Sequence, residues 1–271
     1  PLSSLKINEL AAPVINNLIE TSGIKFDDVD ELIVSNALGA GGNPARSIAL
    51  ASKLPERVAG LSIDRQCVGG LDAILLGIKL VQAGSVNIVV AGGVESFSNR
   101  PIRLAQEYDK ILVPYDAPAF TPNLYQEIQM AEAAFNIAEK FGFTQMDQDM
   151  FAINSHVNAL KSKKYLIDEI VNIGPENTLF DPYARNLNLK LCERAPKLFG
   201  SISYANTAIS ADAASFVLMC KNILKGGKAL KLISGATVGA DPNLPGLAPI
   251  TAIEEVFQAA GLRQTNINQV E

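Results

Sequence analysis

Apolar and polar positions along the first hundred residues follow two alternating rhythms. Residues 7–21, 45–53 and 68–82 carry apolar residues at helical spacing, and the opening PLSSLKINELAAPVINNLIE starts as a capped amphipathic helix. Short apolar runs near 31–36, 60–64 and 86–91 read as strands. In the third helical segment Leu71, Ile74, Leu75, Ile78 and Val81 recur on one side. Leu76 and Leu80 make most of the remaining surface apolar as well, so this helix is expected to lie buried between layers. The run from Val86 to Ala91, broken only by Asn87, suits a strand covered on both faces. Gly92-Gly93 is expected to turn the chain sharply after it. Helix and strand in alternation imply a mostly parallel sheet flanked by helices.

The pattern changes after Ser98. Pro101, Pro114, Pro118 and Pro122 interrupt regular structure over 99–123, which reads as a linker into an inserted region. That region, 99–199, is more polar, with helices expected over 126–141 and 144–163. In the second of these, Phe151, Ile153, Val157 and Leu160 fit one face. Residues 200–220 return to sheet and buried helix, with Ala213, Ala214, Phe216, Val217 and Leu218 as core. Gly226-Gly227 marks a boundary, Leu230 to Val238 reads as a fresh strand and Ile250 to Ala260 as a fresh helix. The expected division is therefore 1–98 plus 200–227 as one α/β half, 99–199 as the insertion, and 228–271 as the start of a second half.

Composition narrows the possibilities. Of 271 residues, 48% are apolar and 19% charged, enough to bury a large core in one or two α/β domains. A net charge of −5 gives no electrostatic case for a nucleic-acid or anionic-membrane partner. No apolar run reaches transmembrane length and no signal peptide is visible. Cys67, Cys192 and Cys220 form no CxxC pair, so neither a disulfide scaffold nor a structural zinc site is expected, and a reducing cytoplasm is the simplest compartment. His156 is the one histidine and sits mid-helix in the inserted region. Cys192 and Cys220 read as filler. The glycine-rich stretch from Gly39 to Pro44 lacks a GxGxxG or GKS/T pattern, so a turn at a subunit interface is a better reading than a phosphate loop. Lys161, Lys163 and Lys164 fit a solvated helix end better than a phosphate site.

Cys67 is different. It stands between a strand and a long apolar helix, and Gly69-Gly70 leave the backbone beside it open. A helix N-terminus presents unpaired N–H groups and the positive end of the macrodipole, and both favour negative charge nearby. A thiol so placed is suited to attack carbonyl carbon. On these residues alone, a buried structural cysteine in an ordinary strand–helix–strand unit remains an equal alternative.

The stretch Arg65-Gln66-Cys67-Val68-Gly69-Gly70-Leu71-Asp72-Ala73 resembles the nucleophile motif of the thiolase family, and Val89-Val90-Ala91-Gly92-Gly93-Val94-Glu95-Ser96-Phe97-Ser98 resembles the strand and turn that follow it. Further similar pieces are Gly41-Gly42-Asn43-Pro44-Ala45-Arg46, Met130-Ala131-Glu132-Ala133, Gly200-Ser201-Ile202-Ser203-Tyr204-Ala205-Asn206 and Gly239-Ala240-Asp241-Pro242. The resemblance implies a layered α/β/α/β/α fold with an inserted loop domain, the C-terminal half being largely missing from this chain. With that half would go the family's Asn-Glu-Ala-Phe, Gly-His-Pro and second cysteine motifs. It implies an acyltransferase that forms or cleaves 3-ketoacyl-CoA through a thioester on Cys67, acetyl-CoA acetyltransferase above all, and a place in fatty acid metabolism. No cofactor is implied, coenzyme A being a substrate, and the expected assembly is a homodimer or homotetramer. Met130, Tyr204 and Ala208 align with positions that line the pantetheine channel. Ala208 replaces a serine, Ala131 a glycine and Pro245 a methionine. Asp212 matches an aspartate that reads as structural, and His156 falls where the family has a variable surface position rather than the catalytic base. Two other readings stay open: a non-catalytic or truncated thiolase-like acyl-CoA-binding protein, and a related 3-ketoacyl synthase.

Overall fold

The computed structural model describes residues 2–106, 112–116, 118–122, 127–173, 180–221 and 229–270. The chain forms two compact units. One comprises Pro1–Tyr115, Leu166–Phe180 and Ser210–Leu230; the other comprises Asp116–Tyr165, Asp181–Ile209 and Lys231–Glu271.

The first unit begins with α1 (Ile7–Ser22), β1 (Glu31–Ser35), α2 (Pro44–Ala51), β2 (Ala59–Ile63), α3 (Gly69–Gln82) and β3 (Ile88–Ser96). A hairpin of β4 (Arg103–Gln106) and β5 (Leu112–Tyr115) follows. The sheet runs β2-β1-β3 in parallel, and its fourth strand, Asp212–Cys220, returns from far along the chain to pair antiparallel with β3. Successive side chains on a strand point to opposite faces, and the packing follows that rule. Leu32, Val34, Val90, Val94 and Phe216 meet Leu10, Ile15 and Ile19 of α1 and Ala45 and Ile48 of α2. Ile33, Val89, Ala91 and Met219 meet Ala73 and Val81 of α3 on the other face. Each large side chain buried in this way stabilises the unit by about 1.5–3 kcal/mol.

Local signals set the helix ends. The Lys6 N–H donates to Glu9 (2.8 Å) at the start of α1, and Gly23, with φ 75°, stops it. Asn43 caps α2: its Oδ1 accepts from the Arg46 N–H (3.1 Å) and the Ser62 hydroxyl (2.7 Å), and its Nδ2 donates to the Gly60 carbonyl (2.9 Å). The glycine-rich stretch before it is thus a turn leading into a helix cap tied to β2.

The second unit contains α4 (Met130–Phe141), α5 (Gln145–Leu166) and α6 (Leu189–Arg194). A short hairpin of β6 (Lys197–Phe199) and β7 (Ile202–Ser203) follows, and after β8, the Asp212–Cys220 strand of the first unit, comes α7 (Ala248–Ala260). Its core gathers Leu187, Cys192 and Ala205 with Ala152, Ile153 and Ala195. Phe135 and Phe199 meet edge to face at 5.5 Å between centroids. Thr144 and Asp147 form a reciprocal cap for α5, and the Thr144 hydroxyl and N–H hold the Asp147 carboxyl below its ordinary range.

Several expectations are corrected. Gly92-Gly93 does not turn the chain; both lie within β3. A Cβ on Gly92 would run into the Ser215 carbonyl oxygen of β8, so glycine is there for close strand approach. Residues 212–220 form one strand with no buried helix. Within 99–123 the chain forms the β4–β5 hairpin, with Pro114 paired opposite Leu104. Residues 230–238 form no strand, and Leu230 and Ile233 stay exposed where a covered strand would bury them. In α5, Phe151, Val157 and Leu160 are exposed. The covered face instead follows Gln145, Asp149, Ala152, Ile153 and His156, a polar and small-residue stripe whose apolar signal is weak. Gly226-Gly227 lies outside the described residues.

Candidate functional site

Cys67 lies at the carboxyl end of the parallel strands, where β2 hands over to α3. β2 ends at Ile63, whose carbonyl accepts the Asn36 N–H (3.2 Å). Asp64 then accepts the Gln66 N–H on its Oδ1 (2.7 Å), closing a tight side-chain turn. Gln66 takes φ 49°, the one non-glycine in the left-handed region among the described residues. That conformation costs an L-residue about 1–2 kcal/mol. A single 3-10 turn, Gln66–Val68, carries the cysteine into α3, and the thiol is exposed.

The first turn of α3 has no side-chain cap; its N-cap is Val68. Arg65 and Asp72 form an ion pair across the cysteine-bearing turn, Arg65 mostly exposed and Asp72 largely buried. Gly69 sits against Ser35 at the end of β1, where a Cβ would strike the Ser35 hydroxyl. Gly70 and Gly93 also lie close: a Cβ on Gly93 would be 3.7 Å from the Gly70 Cα. The paired glycines thus bring the helix start down onto the ends of β1 and β3. The result is an exposed sulfur on a tight turn at a helix N-terminus, an arrangement suited to nucleophilic attack.

Beside this turn lies a feature that the sequence reading quoted but gave no role. Glu95, near the end of β3, accepts hydrogen bonds from the N–H groups of Ala37 and Leu38, the latter at 3.2 Å, and from Asn36 Nδ2 at 3.1 Å. Asn36 also donates to the Val94 carbonyl (2.9 Å), and Arg103 to the Ala37 carbonyl (3.3 Å). Burial raises the Glu95 carboxyl above its ordinary value, outweighing the Ala37 and Leu38 N–H bonds that act to lower it. These partners stand 57 to 59 residues away in sequence, so no local pattern announces them.

The other predicted positions belong to the second unit. Met130 opens α4 and is exposed; Tyr204 and Ala208 are exposed on the segment after β7. That segment is held by Asn206, whose Oδ1 accepts from the Ser203 N–H (2.8 Å) and whose Nδ2 donates to Asp149 (2.9 Å) and the Ser201 carbonyl (3.2 Å). Cys192 is fully buried, and burial, reinforced by the Asp149 carboxylate, pushes its thiol up. His156 is half-buried rather than on the surface, its Nδ1 accepting from the Arg185 N–H (3.4 Å). In the first unit, Asp212 accepts both the Ser98 N–H (2.8 Å) and the Ser98 hydroxyl (2.7 Å), tying β8 to the chain after β3.

The first unit is thus an α/β sheet with an exposed cysteine at a strand-to-helix turn, and comparison with known proteins gives its family. The model of the thiolase N-terminal domain matches residues 1–222. "Putative acetyl-CoA C-acetyltransferase VraB" of Staphylococcus haemolyticus is 30% identical over 285 residues, taking in 100% of this chain and 74% of that protein. The protein of the same name from Staphylococcus aureus strain MRSA252 is 29% identical over 290 residues, taking in 100% and 75%. The crystal structure of the Bacillus anthracis acetyl-CoA acetyltransferase superposes with a TM-score of 0.88 at 28% identity, over 98% of this chain and 73% of that one. The chain belongs to the thiolase family.

Proposed function

We propose that this protein is a thiolase-type acyltransferase acting on acetyl-CoA, with Cys67 as the acyl acceptor. The observation that carries this reading is the exposed Cys67 on a strained turn leading straight into the uncapped start of α3. The Cys67 sulfur attacks the thioester carbonyl of acetyl-CoA, the bond from carbonyl carbon to coenzyme A sulfur breaks, and coenzyme A leaves as its thiol. A second acetyl-CoA then loses an α-proton to a base, the resulting α-carbanion attacks the acetyl-cysteine carbonyl, and that proton ends on the Cys67 sulfur as its thiol is restored. A carbon–carbon bond forms, the bond to Cys67 breaks, and acetoacetyl-CoA departs. The helix N-terminus beside the sulfur favours the negative charge that develops in both attacks. Met130, Tyr204 and Ala208 are the proposed contacts for the pantetheine arm, and coenzyme A is a substrate rather than a cofactor.

The test is the intact mass of the protein with and without acetyl-CoA, followed by peptide mapping. The expected result is one acetyl group on Cys67, and none on Cys67→Ser. A Cys67→Ser protein that condensed acetyl-CoA at the full rate would overturn the proposal. Ala208, which lacks the hydroxyl of the family's serine, favours a second reading: a binder of acyl-CoA without turnover. Tight acyl-CoA binding with no acetyl transfer would select it. Acylation from an acyl-carrier-protein thioester but not from CoA esters would select a 3-ketoacyl synthase.

The proposed assembly is a homodimer. β2 is an edge strand with both faces only partly covered; its own Leu61 is exposed, as are Val68 and Leu71 on the turn and helix that follow. An edge of this kind is normally covered or paired.

A further inference from the structure

We propose that Glu95 is a positioning residue for Cys67, holding the turn that carries the sulfur through a hydrogen-bonded relay from the end of β3. This rests on the reading of Cys67 as the nucleophile. The relay can be followed bond by bond. The Glu95 carboxylate accepts three donors: the Ala37 N–H, the Leu38 N–H and Asn36 Nδ2. These fix the chain just past β1 in one arrangement. Asn36, so fixed, gives its backbone N–H to the Ile63 carbonyl (3.2 Å) and its Nδ2 also to the Val94 carbonyl (2.9 Å). Ile63 is the last residue of β2, and the next four residues are Asp64, Arg65, Gln66 and Cys67. The Asp64–Gln66 bond (2.7 Å) and the Val68–Arg65 bond (3.3 Å) then hold Gln66 at φ 49°.

Two further observations favour positioning over simple filling. Three donors converge on one carboxylate, where a neutral acceptor would leave at least one N–H unmatched. A left-handed glutamine persists only where its surroundings over-determine it, and the relay supplies such surroundings from the strand side. A reacting group works best when neighbouring hydrogen bonds lock its geometry.

Amide hydrogen exchange and thiol alkylation of the folded 271-residue chain test this. Glu95→Ala removes every acceptor; Glu95→Gln keeps the size but offers one oxygen; Asn36→Ala cuts the middle of the relay. In Glu95→Ala and Asn36→Ala, exchange is expected to rise about tenfold at residues 36–38 and also at 66–68. Amides near Cys220, at the far end of the β3–β8 pairing, are expected to keep the wild-type rate. The iodoacetamide rate of Cys67 in the wild type should differ at least about threefold from that of a free peptide of residues 61–71. Glu95→Ala and Asn36→Ala should bring it to the peptide's rate, with Glu95→Gln in between. Loosening at 36–38 that leaves 66–68 and the Cys67 rate unchanged would overturn the proposal. So would a rise in exchange throughout the sheet in all three variants, Cys220 included, since the carboxylate would then be structural only. Failure of acetyl-CoA to acylate wild-type Cys67 would count against the acyl-transfer reading while leaving these exchange results standing.

Discussion

Glycines at adjacent positions do different work in this molecule. A Cβ at Gly92 would meet the Ser215 carbonyl and the Phe216 Cα, both backbone. At Gly93 the nearest atom would be 3.6 Å away, an ordinary contact. Gly92→Ala is therefore expected to destabilise the chain by about 1–3 kcal/mol, and Gly93→Ala by less than about 1 kcal/mol; urea unfolding of the two variants checks the contrast. Glu95 yields a second expectation, in pH. Its carboxyl titrates above its ordinary value when folded, because burial outweighs the Ala37 and Leu38 hydrogen bonds; Asp64 adds to the rise and Arg103 opposes it. Such a group binds its proton more tightly in the folded state. Its stabilising contribution is present below the unfolded value and is lost as pH rises through the folded one. The stability of the wild type relative to Glu95→Gln should therefore fall as pH is raised through and above the ordinary carboxylate range, and a slope of the opposite sign would contradict the burial argument. Neither residue is legible from sequence in this respect. A glycine pair reads the same whether it serves a turn or a close approach, and the partners of Glu95 are fixed only once β1 and β3 lie side by side.

Helices and strands of the first unit were far more legible, because burial on two faces of a parallel sheet imposes period on every segment. The two rhythms place α1, α2, α3, β1 and β2 within a few residues of where they stand, but the α3 stripe is only partly the packed face: Leu75 and Val81 are buried, Leu71 is exposed, and Ala73 and Gly77, too small to announce themselves, complete the covered side. Legibility ends where an element depends on something absent from its own letters. Residues 230–238 have strand composition but belong to no sheet among the described residues. The covered stripe of α5 is written in Asp149, Ala152 and His156 rather than in large apolar residues. Caps are an intermediate case. Asn43 stood in a recognisable Gly-Gly-Asn-Pro stretch, yet its bonds to Gly60 and Ser62 of β2 appear only in the fold. Asn43→Ala should cost about 1–2 kcal/mol by removing the α2 cap together with this tie to the strand, and a thermal melt that matched wild type would show the cap to be idle.

For the molecule as a whole, the surface beside Cys67 carries the clearest expectation. If β2 is the seam of a homodimer, Leu61→Lys should shift the chain from dimer to monomer in sedimentation velocity while leaving its circular dichroism unchanged. A wild-type chain that sediments as a monomer would remove the seam. A different consequence follows from the fourth strand of the sheet. Ser98 and Asp212, which bond to each other, are separated by 114 residues of chain. A ribosome therefore delivers α1 through β3 long before it delivers the strand that closes them. During that interval the outer side of β3, with Val89, Val90 and Ala91, is a finished template with no occupant, and strands of other nascent chains are its nearest competitors. The order of synthesis leaves the pairing edge of β3 without its native strand until Asp212–Cys220 emerges.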